Sequence, residues 1–291
     1  MPKIALVTAA EAVSLDQDLP PLTQALTARG AEVDVVVWDD PKAVWSGYDA
    51  VVVRSTWDYA PRRDELVAWA RRVSSPLHNP ARVLAWNTDK RYLADLARKG
   101  VPVTPTAFVA PGEAAVFPEH EVVVKPTISG GAKDTARYLP AEHAAARAHV
   151  ERLTAAGRTA MVQPYLASVD ARGETALLYF GGVFSHAITK GALLKRGAGL
   201  VEGLFAEETV ATRTPTDAEL RVAEAALDAV PAEVGGRGAL LYARVDLVLG
   251  DDGAPMVLEL ELTEPSVFLP YAEGAAARFA TAILARAVAI S

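Results

Sequence analysis

Residues 242–262 read YARVDLVLGDDGAPMVLELEL, and the fold turns on them. Alternate residues of a β-strand share a face, so Leu258, Leu260 and Leu262 point one way while Glu259 and Glu261 point the other. In the preceding run Val245, Leu247 and Leu249 share the apolar face, and Arg244 and Asp246 take the opposite one. Joined at Asp252-Gly253 and paired in register, the two runs place three carboxylates and one guanidinium on a single surface. A sheet with one solvated face gives the same pattern. Glu is depleted in strands, however, and adjacent like charges repel unless a cation lies between them. An all-carboxylate set suits Mg²⁺ or Mn²⁺ rather than zinc. Both readings stay open on these residues alone.

Upstream, residues 1–85 alternate strand-like and helix-like runs: IALVT, a helix from Pro20 to Arg29 closed by Gly30, EVDVVVW, DAVVVR, and a helix from Pro61 to Val73. This βαβαβ rhythm predicts a parallel sheet covered by helices, with ligands gathering at the carboxyl ends of its strands. Those ends carry Thr8 to Asp16 and the run Arg54-Ser55-Thr56-Trp57-Asp58-Tyr59.

From Ala85 the pattern changes. WNTDKRYLADLARKG (86–100) predicts one helix capped by Gly100. TPTAFVA, EVVVKP and TAMVQPY predict antiparallel strands, with an alanine-rich helix from Pro140 to Ala156 before the last of them. TALLYF and VFSHAITK form a hairpin through Gly181-Gly182. A variable stretch (191–212), a helix from Thr216 to Val230, the strand pair quoted above and a closing helix from Glu273 to Ile290 complete the chain. The expected division is 1–85, 86–160 and 161–291, in an α/β protein.

Composition narrows the function. The 291 residues carry 29 Lys+Arg against 36 Asp+Glu, a net charge of −7, with no block of like charges; this disfavours a nucleic-acid duplex or an anionic membrane as partner. At 51% hydrophobic and 22% charged, the chain is globular rather than disordered. Cys is absent, which removes disulfides, thiolate nucleophiles and Cys-based metal sites. No apolar run approaches the roughly 18 residues of a spanning helix, so the expected location is cytoplasmic. There is no Walker A loop, G-x-G-x-x-G, H-E-x-x-H or G-x-S-x-G elbow. His143 and His149 are expected on an exposed helix face, and His186 as a structural residue.

Two further features carry chemistry. EVVVKPTISGGAKDT (121–135) runs from a strand into small residues around Gly130-Gly131; such a loop lets backbone N–H groups converge on a phosphate, although Gly-Gly is also an ordinary hairpin tip. Only eight of the 29 basic residues are Lys, yet Lys125 and Lys190 each end a strand, where Lys acts as a point charge on phosphate or snorkels outward. The run RSTWDY suits a zwitterionic amino acid, with Arg54, Ser55 or Thr56 on its carboxylate and Asp58 on its ammonium beside Trp57. A capped turn over a core tryptophan is the other reading.

In order, Lys90 in WNTDKRYL, Lys125 in VVVKP, the small-residue loop, MVQPYL, Gly173-Glu174, R-x-D and E-x-E resemble the ATP-grasp superfamily over about residues 85–265. The leading unit is similar to its parallel α/β pre-ATP domain. The resemblance implies ATP and Mg²⁺ (or Mn²⁺). Lys90 and Lys125 would contact phosphates, and Thr127 to Lys133, including Ser129, Gly130 and Gly131, would form a mobile lid. Gln163, Pro164 and Tyr165 would run beside adenine, and Glu174 would face the nucleotide. Asp246, Glu259 and Glu261 would hold the metal. Arg244 would steady the reacting carboxylate, with Lys125 assisting catalysis, and Lys190 would serve the substrate. The family commonly ends E-x-N where this chain has Glu261, and GAGLVEGLFAEETV (197–210) lacks the Arg and Gln often found there.

VVWDD, VVVRSTWDY, NPARVLAWNTDKRYL, VPVTPT and LELTEPS are similar to a narrower ATP-grasp group that includes the cyclo-ligase closing O-ureidoserine to cycloserine. The implied activity is formation of an acylphosphate on a small amino-acid-like carboxylate, followed by attack of a nitrogen, intramolecular in a cyclo-ligase. The alternatives are an intermolecular carboxylate–amine or dipeptide ligase, a hydroxyl kinase, and a non-catalytic ATP-binding regulator. A homo-oligomer is left open.

Overall fold

Residues 1–194 and 209–288 are described by the structure, a computed structural model. The substrate-side expectation placed on 197–210 lies almost wholly outside them, as does the end of the closing helix. The chain opens with β1 (Lys3–Thr8), α1 (Leu19–Thr27), β2 (Glu32–Val37), β3 (Ala50–Ser55), α2 (Arg63–Arg72) and β4 (Leu77–His78). These strands form an all-parallel sheet in the order β2-β1-β3-β4. Both faces are covered, which is why β1 and β3 are apolar without alternation. Leu6 and Val52 pack with α1 on one side, and Val7 and Val53 with Leu66 and Trp69 of α2 on the other.

Next come α3 (Ala81–Asn87) and α4 (Tyr92–Arg98), where the sequence predicted one helix. Local hydrogen bonds interrupt it. Thr88 Oγ1 donates to the Leu84 carbonyl, and Asp89 accepts the Arg91 N–H. The Lys90 N–H leaves the helix to reach the Thr127 carbonyl at 2.8 Å. Lys90 therefore sits in a break, clear of helix neighbours.

The strands β5 (Ala107–Val109), β6 (Val122–Pro126), β7 (Ala136–Tyr138) and β8 (Ala160–Pro164) form a four-stranded antiparallel sheet, β5-β8-β6-β7. The helix α5 (His143–Ala155) covers it through Ala146, Val150 and Leu153. His149 departs from expectation: it is buried on this helix and hydrogen-bonded to Tyr138.

After α6 (Ser168–Arg172), the strands β9 (Glu174–Phe180), β10 (Val183–Lys190) and β11 (Val210–Arg213), the helix α7 (Asp217–Asp228), the strands β12 (Tyr242–Leu249) and β13 (Pro255–Glu261), and α8 (Ala275–Val288) follow. The sheet order is β11-β10-β9-β12-β13, all antiparallel. Thr216 caps α7 by accepting the Glu219 N–H, while Glu219 accepts the Thr216 N–H. Alternate residues of β9 enter two cores. Leu177 and Tyr179 meet α4 and α7, whereas Leu178 and Phe180 meet α8. The Phe180 ring stacks on Phe279 at 4.3 Å, and α8 also packs on α1, so the closing helix joins the first sheet to the last. No helix among the described residues is long and apolar enough to cross a membrane.

His186 is 7% exposed and bonded to the Val267 carbonyl. Burial lowers its pKa from the ordinary 6.5 to about 4. The unfolded chain thus takes up this proton first as pH falls, so the His186 contribution is complete above pH 6.5 and lost on acidification toward 4. Denaturant unfolding is expected to show a loss of about 2 kcal/mol from this ring by about pH 5. An NMR titration showing His186 protonated with an ordinary pKa in the folded protein would contradict this.

Candidate active site

One cavity draws its walls from all three sheets. Trp57 and Tyr59 come from the loop after β3, Lys90 from the break between helices, Lys125 from β6 and Gln163 from β8. Glu174, Lys190, Arg244, Glu259 and Glu261 come from the last sheet. The pairing of β12 with β13 sets Arg244 opposite Glu261 and Asp246 opposite Glu259, the surface expected from the alternation. A bulge then intervenes, with Leu247 opposite Val257, and this corrects the expected facing of Leu258. Val257, Leu260 and Leu262 enter the core, while Leu258 turns into the cavity with Val248. The bulge thereby gives an otherwise charged surface an apolar patch.

Charge is distributed unevenly. Lys90 Nζ meets Glu259 at 2.9 Å and the Ser129 carbonyl at 2.7 Å. Burial opposes its charge, but Glu259, Glu261 and Glu264 hold its pKa above the ordinary value. Burial also works against Glu259, yet Lys90 and Lys125 hold that carboxyl down at about 2. Lys190 bridges Glu174 at 2.8 Å and Asp246 at 2.7 Å. Arg244 bonds both oxygens of Asp246, at 2.9 and 3.0 Å, and reaches Glu261 and the Ser266 carbonyl. Lys125 differs from all of these. It is 9% exposed, lines the cavity, and has no hydrogen bond or ion pair among the described residues. Burial holds its pKa below the ordinary value. A buried ammonium of this kind is costly unless an anion joins it.

The nucleotide residues expected from sequence meet here, with differences. Ser129, Gly130, Gly131, Gln163, Pro164, Tyr165 and Glu174 line the cavity. Gln163 donates to Thr106 Oγ1, and Tyr165 is held by Asp170 and by Arg137 over its ring. Lys133 is exposed off the wall. Thr127 is anchored by the Thr159 carbonyl and by Lys90 N–H, so it belongs to the fixed end of β6 rather than a lid. Gly173 has φ +69°, and a Cβ there would lie 2.1 Å from the Lys190 carbonyl. The Gly-Glu pair is thus a steric requirement for strand β9 to begin beside Lys190.

The metal expectation is also modified. Among the described residues no three His, Asp or Glu converge closely enough to cage an ion. Asp246 is 1% exposed, behind Glu259 and Glu261, and is held by Lys190 and Arg244. Two carboxylates on one cavity wall, Glu259 and Glu261, nevertheless fit Mg²⁺, which is usually held by one or two carboxylates with the rest of its shell from phosphates and water. Burial, with repulsion from Glu259 and Asp246, pushes Glu261 up to about 7, consistent with a site short of positive charge.

The RSTWDY residues are corrected most. Arg54 is completely buried and donates to the Pro265 carbonyl at 2.7 Å, with Tyr242 and Phe279 rings against its guanidinium. Ser55 bonds Thr8, and Thr56 is buried. Asp58 is taken by Trp38 Nε1 at 3.0 Å and Arg62 at 3.1 Å. Of the five expected on substrate, Arg54, Ser55, Thr56, Trp57 and Asp58, only Trp57 lines the cavity. Lys190, expected on the substrate, stands instead with Glu174 and Asp246. Arg54 and Trp57 instead support a stretch of backbone that lines the cavity.

That backbone is residues 262–269, whose role the sequence did not disclose. Its carbonyls are taken in succession: Leu262 by Asn79, Thr263 by Tyr242, Glu264 by Trp57, Pro265 by Arg54, Ser266 by Arg244 and Val267 by His186. The Asp18 carboxylate accepts the N–H groups of Val267, Phe268 and Leu269. Phe268 is held in the left-handed region at φ +53°, costly for a bulky residue. Glu264, Ser266 and Phe268 line the cavity from this strap.

Comparison with known proteins agrees with this architecture. Residues 4–79 match a family described as D-cycloserine synthetase DcsG, N-terminal domain. Over 97% of its length the chain is 45% identical to the cycloserine biosynthesis protein DcsG of Streptomyces lavendulae, covering 98% of that protein. A crystal structure of D-cycloserine synthetase DcsG superposes with a TM-score of 0.90 at 43% identity, covering 98% of this chain and 99% of that one. The D-alanine–D-alanine ligase of Bacillus anthracis in complex with ATP shares the fold, with a TM-score of 0.69 at 14% identity over 100% of this chain and 98% of the ligase. Fold and site define an ATP-grasp carbon–nitrogen ligase. Within that class, the chain belongs to the DcsG family.

Gly173→Ala is expected to destabilise by about 2–4 kcal/mol in a denaturant melt, because strain and clash act together. Arg54→Met should cost about 3 kcal/mol or more by removing the cation 4.0 Å from the buried Asp18 carboxylate and leaving the Pro265 carbonyl unpaired. A melt within about 0.5 kcal/mol of the parent would refute the strap's dependence on Arg54.

Proposed function

We propose that this protein is an ATP-dependent cyclo-ligase of the O-ureidoserine-to-cycloserine type. It forms an acylphosphate on the carboxylate of a small amino acid, and a nitrogen of the same molecule then displaces phosphate. Lys125 carries the reading: a buried cavity ammonium without a partner among the described residues calls for an anion, and phosphate suits it. The near-full-length relationship to a cycloserine biosynthesis protein supports the substrate class.

In this reading adenine enters between Val248, Leu258 and the Gln163–Leu166 segment, and the phosphates extend toward Lys125 and Lys90. Glu259 and Glu261 would hold Mg²⁺, with Asp246 behind them, and the ion would supply neutralisation of phosphate charge. A substrate carboxylate oxygen attacks the γ-phosphorus, the bond to the bridging oxygen breaks, and ADP leaves. The nitrogen then attacks the acyl carbon and the bond to the phosphate oxygen breaks, the departing phosphate taking up the proton that the nitrogen loses. Arg244, braced by Asp246 and the Ser266 carbonyl, stabilises the tetrahedral oxyanion. The Gly130-Gly131 segment, tied at Ser129 by Lys90 and Tyr59, excludes water that would hydrolyse the acylphosphate.

ADP and free phosphate release with Mg-ATP should occur with O-ureidoserine alone. Release only on adding an amine would make the enzyme an intermolecular ligase, phosphate retained on the product would make it a kinase, and ATP binding without release would favour a non-catalytic regulator. Glu259→Gln should lower kcat about 100-fold or more with an unchanged melt, and retained turnover would remove Glu259 from the metal site.

A further inference from the structure

We infer that the Glu264 carboxylate receives the substrate's ammonium group and makes the cavity selective for an α-amino acid. This rests on the ligase reading above. Four other carboxylates of the site each have a cation: Glu174 has Lys190, Asp246 has Lys190 and Arg244, Glu259 has Lys90, and Glu261 has Arg244. Glu264 lines the same cavity but makes no hydrogen bond or ion pair with its carboxylate among the described residues. Its backbone is fixed, because Trp57 takes its carbonyl at 3.1 Å and Arg54 takes that of Pro265. The side chain is therefore presented by a rigid strap, as a recognition group needs to be.

Position and surroundings favour a small organic cation. A Cβ built on Gly130 would stand 4.0 Å from Glu264 Oε1 and 3.7 Å from the Tyr59 ring, so the carboxylate lies under the small-residue loop near Tyr59, in the cavity that Trp57 and Phe268 also line. Aromatic faces next to a carboxylate suit an ammonium on a short apolar stem. Two residues along the strap, the Ser266 carbonyl is bonded to Arg244 at 3.1 Å. A guanidinium and a lone carboxylate thus flank one stretch of backbone, matching the two ends of an amino-acid zwitterion. Burial and the repulsion of Glu261 and Glu259 raise the Glu264 pKa to about 8, which an incoming ammonium would relieve. Asp58, the ammonium partner expected from sequence, is consumed by Trp38 and Arg62, leaving this role to Glu264.

The test is calorimetric binding, with AMP-PNP and Mg²⁺ present, of O-ureidoserine, of other α-amino acids, and of the O-ureidoserine analogue whose α-amino group is replaced by hydrogen. Glu264→Gln keeps the shape and removes the charge; its melt and its AMP-PNP affinity serve as controls. The variant is expected to bind the amino acids about 30- to 100-fold more weakly, with AMP-PNP binding unchanged. The analogue should bind the parent at that weakened level and lose nothing further in the variant. Equal losses for amino acid and analogue, no loss for either, or no binding of any α-amino acid to the parent would each overturn the inference. Glu264-dependent binding of α-amino acids without turnover of O-ureidoserine would instead sink the cyclo-ligase reading and leave Glu264 in its role.

Discussion

The strap at residues 262–269 is the constraint on which the rest of the site depends. A chain segment leaving a sheet exposes carbonyls and N–H groups that must find partners when buried. Here side chains drawn from the first sheet, its loops and the last sheet satisfy six successive carbonyls, and Asp18 takes three N–H groups. Because Arg54, Trp57 and Asp18 belong to the first 85 residues, the strap also fixes how the parallel sheet meets the antiparallel one. Phe268 tolerates its left-handed backbone since its neighbours on both sides are tied down. Geometry along this wall of the cavity is therefore decided before any ligand arrives.

Electrostatics complement that rigidity. Most charges in the cavity are paired across strands or between domains, which limits the cost of burying them. Lys125 and Glu264 are the departures, one ammonium and one carboxylate without a partner among the described residues, both lining the same cavity. Unpaired buried charges are poor for stability and useful for binding, because the ligand supplies what the fold withholds. Their opposite signs fit a polyanionic nucleotide and a zwitterionic acid held in one chamber.

Much of this was legible beforehand. The βαβ rhythm, the hairpin at Gly181-Gly182, the Arg244/Asp246/Glu259/Glu261 surface and the cavity position of Lys125 follow from periodicity and from strand-end residue types, which are local properties, whereas Lys90 is singled out only by the resemblance to the ATP-grasp superfamily. The role of RSTWDY was misread for an equally physical reason. Its composition suggests charge recognition, but whether Arg54 meets a ligand or a carbonyl some 210 residues away is not written in its neighbours. Thr88–Arg91 broke a helix that pattern alone continues, since the Lys90 N–H is drawn off by Thr127. The bulge opposite Leu247 turned Leu258 into the cavity against simple alternation.

By itself the sequence determined the classes of element, their order, the sheet surface that concentrates carboxylates, and membership of the ATP-grasp class, because apolar periodicity, glycine placement and motif order all act over short stretches of chain. Only the tertiary structure decided which charges are spent on the fold and which are left for a ligand. That allocation depends on side chains converging from segments as far apart as Asp18 and Leu269, where desolvation makes every unpaired group costly and every partner specific.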